Sequence, residues 1–278
     1  MMRLASAASA ASAIALLAAS PAAAQDDQSW TGFYIGGQAG YGLQPGDGDE
    51  TIQFDTNLDG SFGETVNTSG GANAFSPGFC GGSAVGPTPG DGCRDDRDGI
   101  EFGAHAGFDY ETGGGLVVGI VGDYSRSRLR DSVSSFSTTP ARYTMTRRLR
   151  DVFTLRARAG VSTGSTLIYA TGGVARGSIR NSFTTSNTAN SFTGNGNEKG
   201  WGYTLGGGVE QRLGTNFSVG LQYLYRSIDA GDYVVRAGPG TAGLTNPFRI
   251  VNPNGTDFRR SDGDFTSHGL SLTASFRF

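Results

Sequence analysis

The sequence predicts an all-β chain, an eight-stranded antiparallel up-and-down transmembrane β-barrel with long extracellular loops. Three observations carry that expectation. Apolar and polar residues alternate with a period of two through most of the chain, and no segment holds a helical period. The alternating stretches are each close to the roughly 9–11 residues that a tilted strand needs to cross a bilayer. Their connections alternate in length. Those near 111–115, 162–165 and 212–216 are short, whereas those at 43–98, 128–148, 178–198 and 230–264 are long, polar and rich in turn residues. Odd strands then rise to one rim and even strands return, so every long loop emerges on one side, large and mobile.

The strands are read in order. In "TGFYIGGQAGYG", Phe33, Ile35, Ala39 and Tyr41 share a face opposite Tyr34, Gly36, Gln38 and Gly40. In "GIEFGAHAGFDY", Ile100, Phe102, Ala104, Ala106, Phe108 and Tyr110 oppose Glu101, His105 and Asp109. A tight "ETGGG" leads to "LVVGIVGDYSRS", with Leu116, Val118, Ile120 and Tyr124 in register. The fourth stretch, "LRDVFTLRARAGV", sets Leu149, Phe153, Leu155, Ala157, Ala159 and Val161 against Arg150, Thr154, Arg156 and Arg158. The fifth, "TLIYATGGVARG", has a parity that the pattern leaves open. The sixth aligns Trp201, Tyr203, Leu205 and Val209 opposite Thr204 and Glu210, and the seventh aligns Phe217, Val219, Leu221, Tyr223 and Tyr225. The last, "HGLSLTASFRF", sets Leu270, Leu272, Ala274, Phe276 and Phe278 against Ser271, Thr273, Ser275 and Arg277. It must pair with the first, because an open sheet edge is not tolerated in lipid.

Alternation alone does not say which face points inward. A soluble, lipocalin-type barrel would turn its apolar face in, around a greasy ligand. Side-chain size favours the opposite arrangement. The apolar faces carry Phe, Tyr, Trp and Leu, too bulky for the interior of eight strands, while the other faces carry mostly Gly, Ser and Thr with a few charges. The aromatics also gather near strand ends, as interfacial girdles do. Phe33, Phe108, Tyr110, Phe217, Phe276 and Phe278 fall at the periplasmic rim, and Tyr41, Tyr124, Trp201 and Tyr225 at the outer one.

The first residues, "MMRLASAASAASAIALLAASPAAAQ", have one early positive charge at Arg3, a short Ala/Leu/Ile stretch and a run of small residues. That is the layout of a secretory signal peptide over 1–24, with the barrel domain over 25–278. Export is therefore expected, and integral placement in the outer membrane of a Gram-negative envelope. Composition agrees: 46 glycines and only 37% hydrophobic residues are few for a soluble core, while 10% aromatics argue against disorder. Loss of Arg3 leaves 21 basic against 25 acidic side chains, a net charge of −4, which excludes nucleic acid as a partner. Cys80 and Cys93 sit close together in a Gly/Pro-rich loop. In an exported chain they read as a disulfide clasp; a metal or redox pair would need partners that the neighbourhood lacks.

The signal peptide, "WTGFYIGGQAGYG", "LIYATGGVA" and a terminal Phe together resemble the porin-like outer-membrane proteins and surface antigens of alphaproteobacteria, within the opacity-like and OmpA-like eight-stranded barrels. The resemblance covers the whole mature chain. It implies that Phe278, with Phe276, Ala274 and Leu272, acts as a recognition signal for the outer-membrane insertion machinery. It also raises haemin binding, known in some relatives, for which His105 and His268 are poorly placed. The protein is expected to be a monomer.

The lumen is the first candidate site. By parity and height, Glu101, Asp123 and Arg226 fall in an upper tier, with Arg176 if its strand has the matching parity. His105, Arg156 and Gln222 lie in the middle, and Asp109, Arg158, Glu210 and Arg277 lower. Charges in so narrow a space must pair, since an unpaired buried charge is very costly. They form either a salt-bridged plug or the gate of a narrow pore. In the first loop, Asp55, Asn57, Asp59 and Gly60 match the start of a calcium loop, but the twelfth position is Val66 rather than Glu. The stretch is either a weak calcium site or a solvated acidic loop, and no other cofactor is expected. Arg126 and Arg128 continue the lipid-facing row above Tyr124. They are candidates for phosphates of lipopolysaccharide, against ordinary solvation or pairing with loop carboxylates. No catalytic set is legible: His268 and Ser271 face opposite sides of a strand and no G-x-S-x-G elbow occurs, so an enzyme is not expected. The reading is a structural or porin-like surface protein that stabilises the outer membrane and displays its loops. Its alternatives are an adhesin or ligand-binding protein acting through those loops, or a narrow gated pore.

Overall fold

Eight long strands close on themselves in the computed structural model, which describes residues 29–46, 49–196 and 198–278; residues 1–24, read from the sequence as a signal peptide, lie outside them. The strands are β1 (Gly32–Leu43), β2 (Gly99–Glu111), β3 (Leu116–Arg126), β4 (Ala141–Thr163), β5 (Thr166–Thr185), β6 (Glu198–Arg212), β7 (Phe217–Asp229) and β8 (Asp264–Arg277). Each pairs antiparallel with its chain neighbours. β8 closes the ring by pairing with both β7 and β1, so that Phe276 lies opposite Phe217 on one side and Ile35 on the other. No α-helix occurs among the described residues.

The pleat sorts side chains as a bilayer requires. Phe33, Ile35, Ile100, Phe102, Ile120, Phe153, Leu155, Ile168, Leu205, Leu272 and Phe276 lie exposed on the outside. Tyr34, Gln38, Glu101, His105, Asp109, Asp123, Arg156, Arg158, Glu210, Arg226 and Arg277 are buried inside. The two aromatic girdles are present: Phe33, Tyr110, Phe217, Phe276 and Phe278 project outward at the periplasmic rim, and Tyr41, Tyr124 and Trp201 at the outer one. On β5, Leu167, Tyr169, Thr171 and Ala175 point inward. Arg176 therefore points outward, stacked on Trp201 with the guanidinium 5.2 Å from the ring centroid, and is not a lumen charge.

The loops depart from expectation. They are a folded second storey rather than mobile polar segments. β4 and β5 run for 23 and 20 residues, well past the rim of their neighbours, so much of 128–148 and the start of 178–198 is strand. Above the rim β4 exchanges β3 for the loop strand Arg130–Ser137, which in turn pairs with Gly78–Gly81. Facing this hairpin is a separate four-stranded sheet in the order Ser191–Gly194, Val235–Gly238, Thr256–Arg260, Ile52–Asp55. Between them lies an apolar core: Ile52, Phe54, Val66, Phe75, Val133, Tyr143, Met145, Val235, Phe248 and Phe258 are all buried. Its rings are in contact, with centroids 4.5 Å apart for Phe54–Phe75, 5.1 Å for Phe54–Phe258 and 5.2 Å for Phe248–Phe258. Burying each such ring contributes roughly 1.5–3 kcal/mol, which explains why chain with so many glycines and serines becomes ordered here.

Leu149 supplies the second correction. The alternation places it in the lipid-facing row of β4, yet it is buried inside. Ser178 pairs with Asp151 and Ile179 with Leu149, leaving Arg150 as an extra residue. This β-bulge reverses the parity of everything above it.

Candidate functional site: a charged lumen with two seals

The lumen holds ionic tiers whose members the pleat of six strands brings together. At the bottom, Arg158 of β4 donates through Nε to Asp109 Oδ1 of β2 (2.6 Å) and through Nη1 to Glu210 Oε2 of β6 (3.0 Å). Arg277 of β8 donates to the same two carboxylates, at 3.0 Å to Asp109 and 2.9 Å to Glu210. Two guanidiniums and two carboxylates thus alternate around a closed square. Ser218 Oγ donates to Glu210 as well, at 2.6 Å. The Tyr34 ring lies 4.7 Å from both guanidinium carbons, within cation–π range. Room for that ring comes from Gly107, where a Cβ would collide with the phenol.

One tier higher, Arg156 Nη2 donates to Asp123 Oδ2 (2.8 Å), and Thr154 Oγ1 donates to the same oxygen. His105 Nε2 lies 2.8 Å from Ser275 Oγ, and Gln222 Nε2 donates to the Tyr169 hydroxyl at 2.9 Å. Higher still, Arg226 forks both terminal nitrogens onto Glu101, at 2.8–3.0 Å. Glu101, Asp109, Asp123 and Glu210 are thereby matched by Arg156, Arg158, Arg226 and Arg277. Every one of these eight side chains is at least nine-tenths buried. Deleting one partner of such a pair costs about 3–5 kcal/mol, because it strands a charge out of water.

Both ends of this column are closed. At the periplasmic end Trp30, fully buried, donates from its indole nitrogen to Gly164 O (3.0 Å) and lies under the guanidiniums of Arg277 (4.5 Å) and Arg212 (5.5 Å). At the outer end an apolar layer of Leu129, Leu149, Val152, Ala175, Ile179, Ile228, Ala230 and Phe265 fills the bore. Leu129 stands directly beside Glu101: a Cβ added at Gly42 would meet both side chains at 3.1 Å. Alternation does not foresee either seal. Trp30 precedes the first strand, and Leu149 reaches the bore only through the bulge.

Above the apolar layer sits an ionic knot that the sequence pattern does not bring together. Arg147 Nη2 donates to Asp131 Oδ2 (2.6 Å), and Arg260 donates to Asp131 Oδ1 (2.5 Å) and to Glu50 Oε1 (2.5 Å). Asp131 is held below its usual range although burial opposes this, because Arg260 and Arg147 flank it. Glu50 is shifted upward, chiefly by burial, with Asp131 adding to the effect. Asp96 accepts the Ser132 N–H (2.7 Å) and is pushed up to about 7, by burial first and then by Asp131. These residues come from three of the four extracellular connections, so the knot ties the cap to the barrel.

The remaining candidates fall as follows. Cys80 and Cys93 are joined by a disulfide, with Cα atoms 6.6 Å apart, on the outer edge of the cap. In the calcium-like stretch the Asp55 carboxylate accepts the backbone N–H groups of Leu58, Asp59 and Gly60 at 2.6–3.2 Å, and Asn57 donates to Asp59 and Glu64. Its oxygens thus cap their own turn; no cluster of three or more metal-ligating side chains occurs among the described residues. Arg126 is exposed and paired with Asp151 at 3.1 Å, and Arg128 is exposed beside it. Leu272, Phe276 and Phe278 all project outward, and Phe278 donates its N–H to Phe33 O. His268 shares a hydrogen bond with the Tyr223 hydroxyl (2.6 Å), on the opposite side of the wall from His105.

A family profile agrees with this architecture. The profile of the outer membrane protein beta-barrel domain matches residues 12–278. The 31 kDa outer-membrane immunogenic protein of Brucella melitensis is 27% identical over 208 residues, which cover 74% of this chain and 75% of that protein. Among solved structures, the outer membrane protein OprG of Pseudomonas aeruginosa aligns with 89% of this chain and 97% of its own, at 13% identity and a TM-score of 0.45. The outer membrane protease OmpT of Escherichia coli aligns over 89% and 97%, at 10% identity and a TM-score of 0.42.

Proposed function

Because the chain belongs to the outer membrane protein β-barrel family, we propose that it is a non-conducting structural surface protein, a plugged barrel that braces the outer membrane and holds a folded cap above it. The observation that carries this reading is the filled lumen: matched charges in tiers, Trp30 below and an apolar layer above. A gate would need carriers free to move, whereas each guanidinium here is held by carboxylates on other strands. Planar-bilayer recording of the purified protein should give no stable openings. Sustained nanosiemens-scale steps that change in Arg156→Ala would replace the plug with a pore.

A second reading, ligand capture by the cap, is favoured by one feature. The tip of the last loop exposes Leu244, Ile250 and Val251 over the anchored Phe248, a rigid apolar point facing outward. The Brucella relative is described as immunogenic, as a surface-displayed protein can be. Adhesion assays with Leu244→Ser/Val251→Ser, in which the cap core is untouched, separate capture from passive display. Catalysis is not part of the proposal. The His105–Ser275 pair is buried and has no third member, since His105 Nδ1 finds no partner among the described residues. The oxygens of Asp55, Asn57 and Asp59 are engaged with backbone N–H groups of their own turn, and the twelfth position is Val66; a flat calorimetric titration at millimolar calcium is expected. Phe278 and Phe276, outward on the closing strand, remain the proposed contact for the insertion machinery. Phe278→Ala should lower assembly in cells more than refolding in detergent.

A further inference from the structure

The register of the cap hairpin produces an arrangement that β-sheets ordinarily avoid. Arg148 on β4 lies directly opposite Arg130 on one side and Arg180 of β5 on the other. Arg97, in turn, forms a two-hydrogen-bond bridge with Arg130. Four arginines therefore stand abreast, three on adjacent strands and Arg97 at the isolated bridge on their edge. Directly opposed residues are only about 4.5–5.5 Å apart, and like charges at that spacing destabilise a sheet. None of the four takes part in an ion pair among the described residues, and Arg148 Nε is buried without a hydrogen-bond partner. Partial burial, then Arg148 and Arg97, hold the Arg130 guanidinium below its usual range; no carboxylate is among the causes. By contrast Arg126, two rows lower, is satisfied by Asp151.

Position narrows what could neutralise this row. Arg180 is four residues along β5 from Arg176, which stacks on the girdle residue Trp201. At about 3.3 Å per residue and a tilt near 40°, that places the row roughly 10 Å above the aromatic girdle, beyond the acyl chains and level with large headgroups. The next position on each strand is a hydroxyl: Ser132, which is buried and bonded to Thr146 Oγ1 at 2.9 Å, then Thr146 itself and the half-buried Ser182. Guanidiniums in a row, with the Ser182 hydroxyl beside them and no counter-ion of their own among the described residues, match phosphomonoesters, which each bridge neighbouring forks bidentately.

We propose that Arg130, Arg148 and Arg180, with Arg97 at the edge, form a binding site for the phosphate groups of outer-leaflet glycolipids. The site goes beyond a structural role and rests only on outer-membrane placement. The lipid turns a repulsive row into the attractive one that seats the cap on the membrane surface.

The test uses the full mature chain refolded in neutral, phosphate-free detergent and titrated with diphosphoryl lipid A. Wild type should bind, and Arg148→Gln/Arg180→Gln should bind at least about tenfold more weakly, the scale of one lost charge-assisted fork. In the lipid-free detergent that variant should melt at the same temperature as wild type or higher, because repulsion is relieved. Equal lipid binding by the two proteins would overturn the site, as would equal binding of dephosphorylated lipid A. A lower melting temperature with unchanged lipid binding would make the row structural. Inositol hexakisphosphate competing as well as lipid A would assign the site to free polyphosphates and overturn the glycolipid. A failure of outer-membrane placement would be seen separately, as loss of heat-modifiable gel migration in wild type itself.

Discussion

The barrel and the cap are built from the same strands and obey opposite rules. Along the lower half of β4 the inward positions are Thr154, Arg156 and Arg158 and the outward ones are Phe153, Leu155 and Ala157. Along its upper half the inward positions are Leu149, Met145 and Tyr143, and the outward ones include Arg148 and Thr146. Lipid selects the first pattern and water the second. One residue, Arg150, performs the exchange, because the bulge shifts parity where the strand leaves the membrane. The interior stays continuous while the exterior changes solvent.

The strongest way to break the comparison is to remove the switch. Deleting Arg150 should return Tyr143 and Met145 to the outer face and empty the cap core. The expected result is a barrel that still shows heat-modifiable migration, with a cap cleaved rapidly by protease added from outside. A protease-resistant cap in the deletion would show that the bulge relocates, and that parity does not govern the upper storey.

Next come single side chains, one from each region. Arg158→Ala leaves Asp109 and Glu210 to share Arg277 alone, one buried negative charge unmatched, and should cost about 3–5 kcal/mol in urea unfolding of the barrel. Phe258→Ala, at the centre of six ring contacts of the cap, removes a similar about 3–5 kcal/mol, but from the cap alone. Protease mapping and barrel unfolding, read on both variants, should separate cleanly. If Phe258→Ala also lowered the barrel's urea midpoint, the two storeys would be one cooperative unit.

These regions differ as much in how far the sequence discloses them. The barrel's strands are long, and within the membrane each carries one uninterrupted alternation between two environments, so the period and the facing of Glu101, Asp109 and Arg156 are legible. The partners of Arg158 and Arg277 are not, because pairing across the bore depends on register, which alternation does not encode. The cap strands are two to eight residues long, too short for a period to stand out, and "SVSSFS" or "TIQFD" reads as polar loop. Their apolar residues become meaningful only when four connections converge. Arg150 is hidden for a different reason. "RRLRD" alternates acceptably in either parity, so nothing local marks the bulge. The facing of β5 was open for want of bulk on either side, and Arg176 finds its place by stacking on Trp201 of the next strand.

The smallest effect tests the knot at which the two storeys meet. Asp96 has a folded pKa of about 7 against an ordinary 3.8, so between those values the folded cap binds a proton that the unfolded chain has released. Stability therefore rises as pH falls from 7 toward 4 and is lost as pH climbs through 7. The upward shift of Glu50 acts in the same direction. Asp131, held low by Arg260 and Arg147, acts oppositely, and only below its ordinary range, where its protonation would loosen both arginines. Asp96 is partly solvated, which keeps the change modest. Cap proteolysis should slow between pH 8 and pH 5.5, while barrel unfolding, governed by lumen pairs far below, stays level. Asp96→Asn keeps an acceptor for the Ser132 N–H and removes the proton. It should hold the cap at its slow, low-pH cleavage rate throughout that range. A variant that retained the wild-type pH profile would move the effect to Glu50, which Glu50→Gln then isolates.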